Sequence, residues 1–337
     1  MIKKMLILML SLILPVFDAC ASAGSESQVL NEKKRLIIYT SHKESIYRPI
    51  IREFEERSGI WVDVVTGGTN ELLARIAGET GENSADIMFG GGVDSLRAYE
   101  DCFEPYETSQ SEKLDKTYAS ENNSYTVFSK LPIVFVYNTR RVMPSEAPRT
   151  WGQLLDYKWK GEIAFADPVK SGSAYTALSM LMQEMSDEGY GAEETVKKFT
   201  GNLAGDLSSS SATIVEDVAG GNKMTGIVLE ENALMKKLEN TDIEMIYPSG
   251  STCALPDGCA MIKNAENREN AEKFMEFIVS DDVQHLLEDK LFRRSVRTDF
   301  ESSEIPGEVF YDIEYSNRHR EEIMSLWEEN MGKTGEE

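Results

Sequence analysis

The stretch RLIIYTSHKESIYRPIIREFEERSGIWVDVVTGGT, residues 35–69, sets the architecture. Residues 36–39 form a short apolar run enriched in isoleucine, the signature of a buried strand. Thr40, Ser41 and His42 interrupt it with small polar groups. From Ser45 onward Ile46, Ile50, Ile51 and Phe54 share one face at a 3.6-residue period, so the chain turns helical. Gly59 ends that helix, because glycine accepts the left-handed conformation found just past a helix C-terminus. Residues 60–65 read as a second strand, and Thr66-Gly67-Gly68-Thr69 as a second polar loop that opens a helix at Asn70. This strand–helix–strand unit makes the chain α/β. Its loops at the carboxyl ends of the strands carry hydroxyls and glycines instead of bulk, and in open α/β sheets ligands bind at that edge.

Upstream of this unit, Lys3 and Lys4 precede an apolar run over residues 5–17 that is short for a bilayer span. Residues 1–20 therefore read as a signal peptide, and the protein is expected to be exported. Ala19-Cys20 fits a lipobox, which would place a lipid on Cys20 and make the Ser/Gly/Glu-rich residues 21–34 a tether. Ala19-Cys20-Ala21 also fits ordinary signal peptidase.

The 337 residues suffice for one large core or two modest ones, and 41% apolar with 28% charged residues is ordinary for a soluble protein. A net charge of −23 excludes the basic footprint of a nucleic-acid binder. It says little about a small ligand, since a pocket's local field can oppose the global one. Cys102, Cys253 and Cys259 follow Cys20. The last two flank Pro256-Asp257-Gly258, a turn signal that would bring them together as a disulfide; the alternative is two small buried thiols. No CxxC or HExxH pattern occurs, and His42, His285 and His319 are widely spaced, so neither metal nor cofactor has a local signature.

Downstream, residues 70–77 place Leu72, Leu73 and Ile76 on one helix face. Residues 85–89 read as a third strand. Gly90-Gly91-Gly92 then reads as a loop whose backbone N–H groups approach a ligand without hindrance from Cβ atoms, and Asp94 as the N-cap of the next helix. Residues 125–137 read as two strands broken at Leu131-Pro132, the second covered on both faces. A strand over 162–166 leads into Ser171-Gly172-Ser173, which either cap the following helix or bind an anion. Residues 208–211, including Ser209 and Ser210, repeat that pattern. A strand over 226–229 runs into Glu230 and Glu231, which either complement a helix N-terminus or recognise a hydroxyl or amine. Helices follow over 265–278, 281–288 and 318–331, and Lys170, Arg294 and Arg297 are possible counter-charges. The candidate ligand residues are thus Thr40, Ser41, His42, Gly68, Thr69, Gly90, Gly91, Gly92, Ser171, Gly172, Ser173, Ser209, Ser210, Glu230 and Glu231. An enzyme is not expected: there is no G-x-S-x-G elbow, and the glycine loop lacks the Lys-Ser/Thr of a Walker motif.

Five segments recur together and in order: residues 36–59 with YTSHKES, 85–106 with ADIMFGGG and FEPY, FVYNT at 135–139, PDGCAMI at 256–262 and NAEKFMEFI at 270–278. In this combination the chain resembles bacterial ABC-transporter solute-binding proteins of the ferric-ion-binding type, with their sugar-phosphate and phosphonate relatives. The resemblance implies a two-lobed type II periplasmic-binding-protein fold whose hinge consists of two crossovers, near residues 131–139 and 253–262. Residues 35–132 with 254–292 would form one lobe, and 133–253 with 293–337 the other. It further implies a monomer that hands a small-molecule solute to ABC permease subunits in the membrane. His42 matches a His of the ferric members, but the carboxylate and Tyr-Tyr pair expected near residues 90–92 and 230–232 are absent. The resemblance therefore points to a sugar phosphate or aminoalkylphosphonate, with ferric ion or an organic cation such as polyamine or thiamine as the alternative.

Overall fold

The computed structural model describes residues 35–78, 85–300 and 304–334. The expected signal peptide, the tether and Cys20 lie outside the described residues. The chain opens with β1 (Arg35–Thr40), α1 (Glu44–Ser58), β2 (Trp61–Thr66), α2 (Thr69–Gly78) and β3 (Ile87–Gly92). Strands β1, β2 and β3 are parallel, with Ile38 opposite Val64 on one side and Ile87 on the other. Helix α1 buries Ile46, Ile50, Ile51 and Phe54 and ends at Gly59 with φ 67°. Each of those side chains stabilises the fold by about 1.5–3 kcal/mol on leaving water. The short helix α3 (Val93–Arg97) and strand β4 (Phe103–Glu104) complete this unit.

The next strand, β5 (Thr126–Asn138), is thirteen residues long and unbroken. Leu131-Pro132 does not interrupt it as the sequence suggests. Instead β5 exchanges neighbours there. Residues 126–132 pair antiparallel with the later strand β9, whereas Ile133 onward pairs with two further strands. These are β7 and β8, reached through β6 (Ile163–Ala164), α4 (Gly172–Asp187), α5 (Ala192–Leu203), α6 (Ile214–Ala219), β7 (Thr225–Leu229), α7 (Glu230–Lys237) and β8 (Ile243–Ile246). Strand β6 runs parallel to β7, so their following loops emerge at one edge. A proline in β5 is tolerated because the ladder changes partner at that point.

Strand β9 (Thr252–Ile262) is likewise continuous, and runs straight through Pro256-Asp257-Gly258, where the sequence suggests a turn. It pairs with β5 on one side and β3 on the other. Six residues of extended chain separate Cys253 from Cys259 by about 20 Å, far beyond the roughly 7 Å limit for a disulfide. All three described cysteines are free thiols. A reductant is expected to leave the melting temperature of the soluble protein unchanged; a fall would reveal a cross-link that this strand forbids.

The chain ends with α8 (Arg268–Ile278), α9 (Asp281–Leu291), β10 (Arg294–Ser295), β11 (Glu308–Val309), α10 (Ile313–Arg318) and α11 (Arg320–Thr334). Strand β10 pairs with Lys130 and Ser129 of β5, on the side of the first lobe and not with residues 133–253. Trp327 of α11 packs on Phe165 beside β6, so the terminal helix covers the second lobe. The sheet order β2-β1-β3-β9-β5-β7-β6 describes a two-lobed α/β protein threaded by two long strands. Asp94 also differs from expectation. Gly92 holds the N-cap position of α3, and the fully buried Asp94 carboxylate accepts hydrogen bonds from Thr176 of α4 at 3.2 Å and Tyr311 at 3.1 Å. It therefore joins the two lobes behind their facing edges. Among the described residues no helix is long and apolar enough to cross a membrane.

Candidate functional site

The carboxyl edges of the two lobes face one another across a cleft of about 850 Å³. From the first lobe, Ser41, His42 and Lys43 enter it after β1, Gly68 and Thr69 after β2, and Gly91 and Gly92 at the end of β3. From the second lobe come Ser171, Gly172 and Ser173 at the start of α4, residues 208–211 before α6, and Glu231 and Asn232 in the first turn of α7. The loops sit together because each lobe's parallel strands deliver their carboxyl ends to one edge.

Ser171 caps α4 by accepting from the Ala174 N–H at 3.2 Å. Its hydroxyl also meets Ser211 and lies 3.3 Å from Ser173, with Ser173 3.1 Å from Ser211. Three hydroxyls thus cluster at the positive end of a sixteen-residue helix, an arrangement that favours negative charge.

A charged network that the sequence reading missed forms the buried base. Arg293, 2% exposed, donates from Nε to Glu231 at 2.5 Å and from Nη1 to Asp257 at 2.5 Å. Its Nη2 lies 3.3 Å from His42 Nδ1. Arginine only donates, so Nδ1 accepts and the ring proton belongs on Nε2. That nitrogen is buried 3.4 Å from Asp257 Oδ2 and has no hydrogen-bond partner among the described residues. Burial first, and the Arg293 charge second, push the His42 pKa well below its ordinary value, so the ring is neutral. Burial also lowers the pKa of Lys43, against the pull of Glu231, and Lys43 bonds the Asn232 side chain across the cleft.

Burial raises Asp257 to about 6, against the Arg293 guanidinium that lowers it, and the nearby Glu231 charge adds to the rise. Two carboxylates, in turn, keep Arg293 firmly protonated against its own burial. Asp257 therefore binds a proton in the folded state at a pH where the unfolded chain, with an ordinary value of about 4, has lost it. Stability from this group falls as pH rises from about 4 to about 6, the reverse of a salt-bridged surface carboxylate. The Asp257 carboxyl carbon should titrate by NMR with a midpoint near 6. A midpoint at the ordinary carboxylate value would show the base to be wet.

Three expected site residues lie outside the cleft lining. Thr40 is fully buried and donates to the Phe89 carbonyl at 2.7 Å. Gly90 lies in β3 and packs under His42, where a Cβ would stand 2.5 Å from Nε2. Glu230 is buried in a bidentate pair with Arg294, at 2.9 and 2.7 Å, and also accepts from Tyr247. The expectation of unhindered amides also needs correction. Gly90, Gly91 and Gly92 belong to a bulged strand. The Gly91 N–H already serves Asp257 at 2.9 Å, and those of Gly67 and Gly68 serve Thr40 O and Glu71. Buried amides need partners whether or not a ligand is present. Of the possible counter-charges, Lys170 lines the rim, Arg294 holds Glu230, and Arg297 is committed to Asp299 at 2.7 Å. Asp257 had a visible signal, since it is one charged residue inside an apolar extended run. Arg293 had none beyond its place in an arginine pair.

The two-lobed fold is that of periplasmic binding proteins. AfuA, the periplasmic binding protein of Actinobacillus pleuropneumoniae solved with exogenous fructose-6-phosphate bound, superposes with a TM-score of 0.80 at 24% identity, covering 88% of this chain and 98% of that one. The family model described as bacterial extracellular solute-binding protein matches residues 83–313, and the chain belongs to that family. Iron uptake protein A1 of Synechocystis is 27% identical over 273 residues, covering 76% of this chain and 74% of that protein. A putative 2-aminoethylphosphonate-binding periplasmic protein of Salmonella typhimurium is 23% identical over 269 residues, with 77% of each covered.

Proposed function

We propose that this protein is the exported receptor of an ABC importer, and that it captures a small phosphorylated or phosphonate solute between its lobes. The observation that carries the reading is the serine cluster at the N-terminus of α4, facing Lys43 and Arg293 across one cleft. Phosphate oxygens accept from hydroxyls and favour the positive helix end. A cleft of about 850 Å³ suits a solute of sugar-phosphate size. The names of the AfuA and Salmonella relatives support the same chemistry.

The hinge in this reading is the neighbour exchange in β5, with β9 running beside its first half, and closure presents the solute to membrane permease subunits. In this reading the lobes are residues 35–132 with 254–292 and residues 133–253 with 293–337, and the pairing of β10 with Lys130 and Ser129 supports counting residues 293–300 with the first. A lipid on Cys20, followed by the tether over 21–34, would hold a monomer at the membrane, and no chemical step on the solute is part of the role.

Calorimetric titration tests it: glucose 6-phosphate or 2-aminoethylphosphonate should give saturable heat, and ferric citrate or a polyamine should not. A second reading, capture of ferric ion or an organic cation, is favoured by the carboxylates of Glu71 and Asp167 on the cleft wall and by the name of the Synechocystis relative. The reverse pattern of heats would establish it.

A further inference from the structure

We propose that Arg293 is a specificity-determining residue that sets the charge class of the solute, standing where a cation would otherwise sit between Asp257 and Glu231. This deepens the receptor reading above and rests on it. Asp257 comes from β9 and Glu231 from the first turn of α7, so the two carboxylates reach the base from different lobes. Each has a side chain 3% exposed and lies 2.5 Å from the guanidinium. Without that group, two desolvated carboxylates would face each other in a chain of net charge −23. Such a pair is a receptor for an amine or a metal ion.

The guanidinium is supplied rigidly. Phe292 turns the chain out of α9 with φ 55°, and the Arg293 N–H donates back to Leu287 O at 3.0 Å. Ser129 Oγ at 3.5 Å and His42 Nδ1 at 3.3 Å flank its two Nη atoms. Because arginine does not deprotonate in proteins, this internal cation is permanent. Arg293 and Lys43 together balance the two carboxylates, so the hydroxyl cluster at the positive end of α4 decides the sign of the field, and an anion is preferred. A protein built to take a cation would leave those carboxylates open.

The test uses the mature soluble protein, calorimetry, and two kinds of probe: the phosphorylated probe that the wild type binds, and 1,4-diaminobutane. Arg293→Gln should weaken the phosphorylated probe by about 10- to 100-fold, because the two carboxylates would then face the anion unbalanced, and should acquire saturable diamine binding. Arg293→Lys should keep the anionic preference. A role in folding alone would weaken the phosphorylated probe without any gain of diamine binding, or change neither, and either of those results overturns the proposal. Should Arg293→Gln fail to fold, Glu231→Gln serves instead, with inorganic phosphate as the probe. It strips one carboxylate from Arg293 and should bind phosphate at least as tightly as wild type, while a tenfold loss overturns the proposal. The wild-type titration reports on the receptor reading separately. A wild type that prefers the diamine defeats that reading before any variant is made.

Discussion

Gly91→Val should fold yet bind no phosphorylated solute, a loss we expect to exceed a hundredfold on the order-of-magnitude grounds that follow. Gly91 sits at φ +110°, where a β-branched residue is strained by about 1–3 kcal/mol. A Cβ there would also stand 2.8 Å from Thr69 Cγ2, at the start of α2 and on the cleft wall. Relief of either strain shifts the β3 bulge, and with it the N–H that holds Asp257 at 2.9 Å. Asp257 positions Arg293, so the disturbance reaches the base of the cleft. Calorimetry and a melting curve on the same sample separate lost binding from lost folding. Undiminished affinity in a folded Gly91→Val protein would falsify the location of the site.

The second large effect is on stability. Arg294→Met leaves Glu230, 1% exposed, with its charge buried and, among the described residues, only the Tyr247 hydroxyl still donating to it. Breaking such a pair from one side costs about 3–5 kcal/mol, far more than the pair is worth against water. Urea unfolding should show that loss, and adding Glu230→Gln to the same chain should restore most of it. The sequence offers Glu230 as a ligand residue; in the folded protein it anchors α7 to β10. Glu230→Gln alone should therefore leave the ranking of solutes intact, whereas a changed ranking would return Glu230 to the cleft.

These two residues show what sequence could and could not disclose. The helix α1 was legible because Ile46, Ile50, Ile51 and Phe54 repeat with the helical period and Gly59 follows them. The loops that meet in the cleft were legible because small polar runs at strand ends have few other uses. Strand continuity was not. Leu131-Pro132 and Pro256-Asp257-Gly258 are good local turn signals, overruled by ladders formed with partners more than a hundred residues away. Nor could local spacing separate Glu230 from its neighbour. Adjacent residues on a helix diverge by about 100°, so one carboxylate faces Arg294 outside the cleft and the other reaches Arg293 at its base. Arg293 itself was invisible for a related reason: a single basic residue acquires meaning only from the carboxylates that long-range pairing brings beside it.

Strand β5 lends one end to either half of the molecule, and β9 returns the chain to the first half beside it. Neither half is a contiguous module that could be excised, exchanged or inherited on its own. The segment between the two strands would leave with unmatched main-chain groups along its inner border, and the remainder would be missing its middle. Recombination that swaps solute preference between relatives must therefore act loop by loop at the facing edges, while the woven centre is passed on whole.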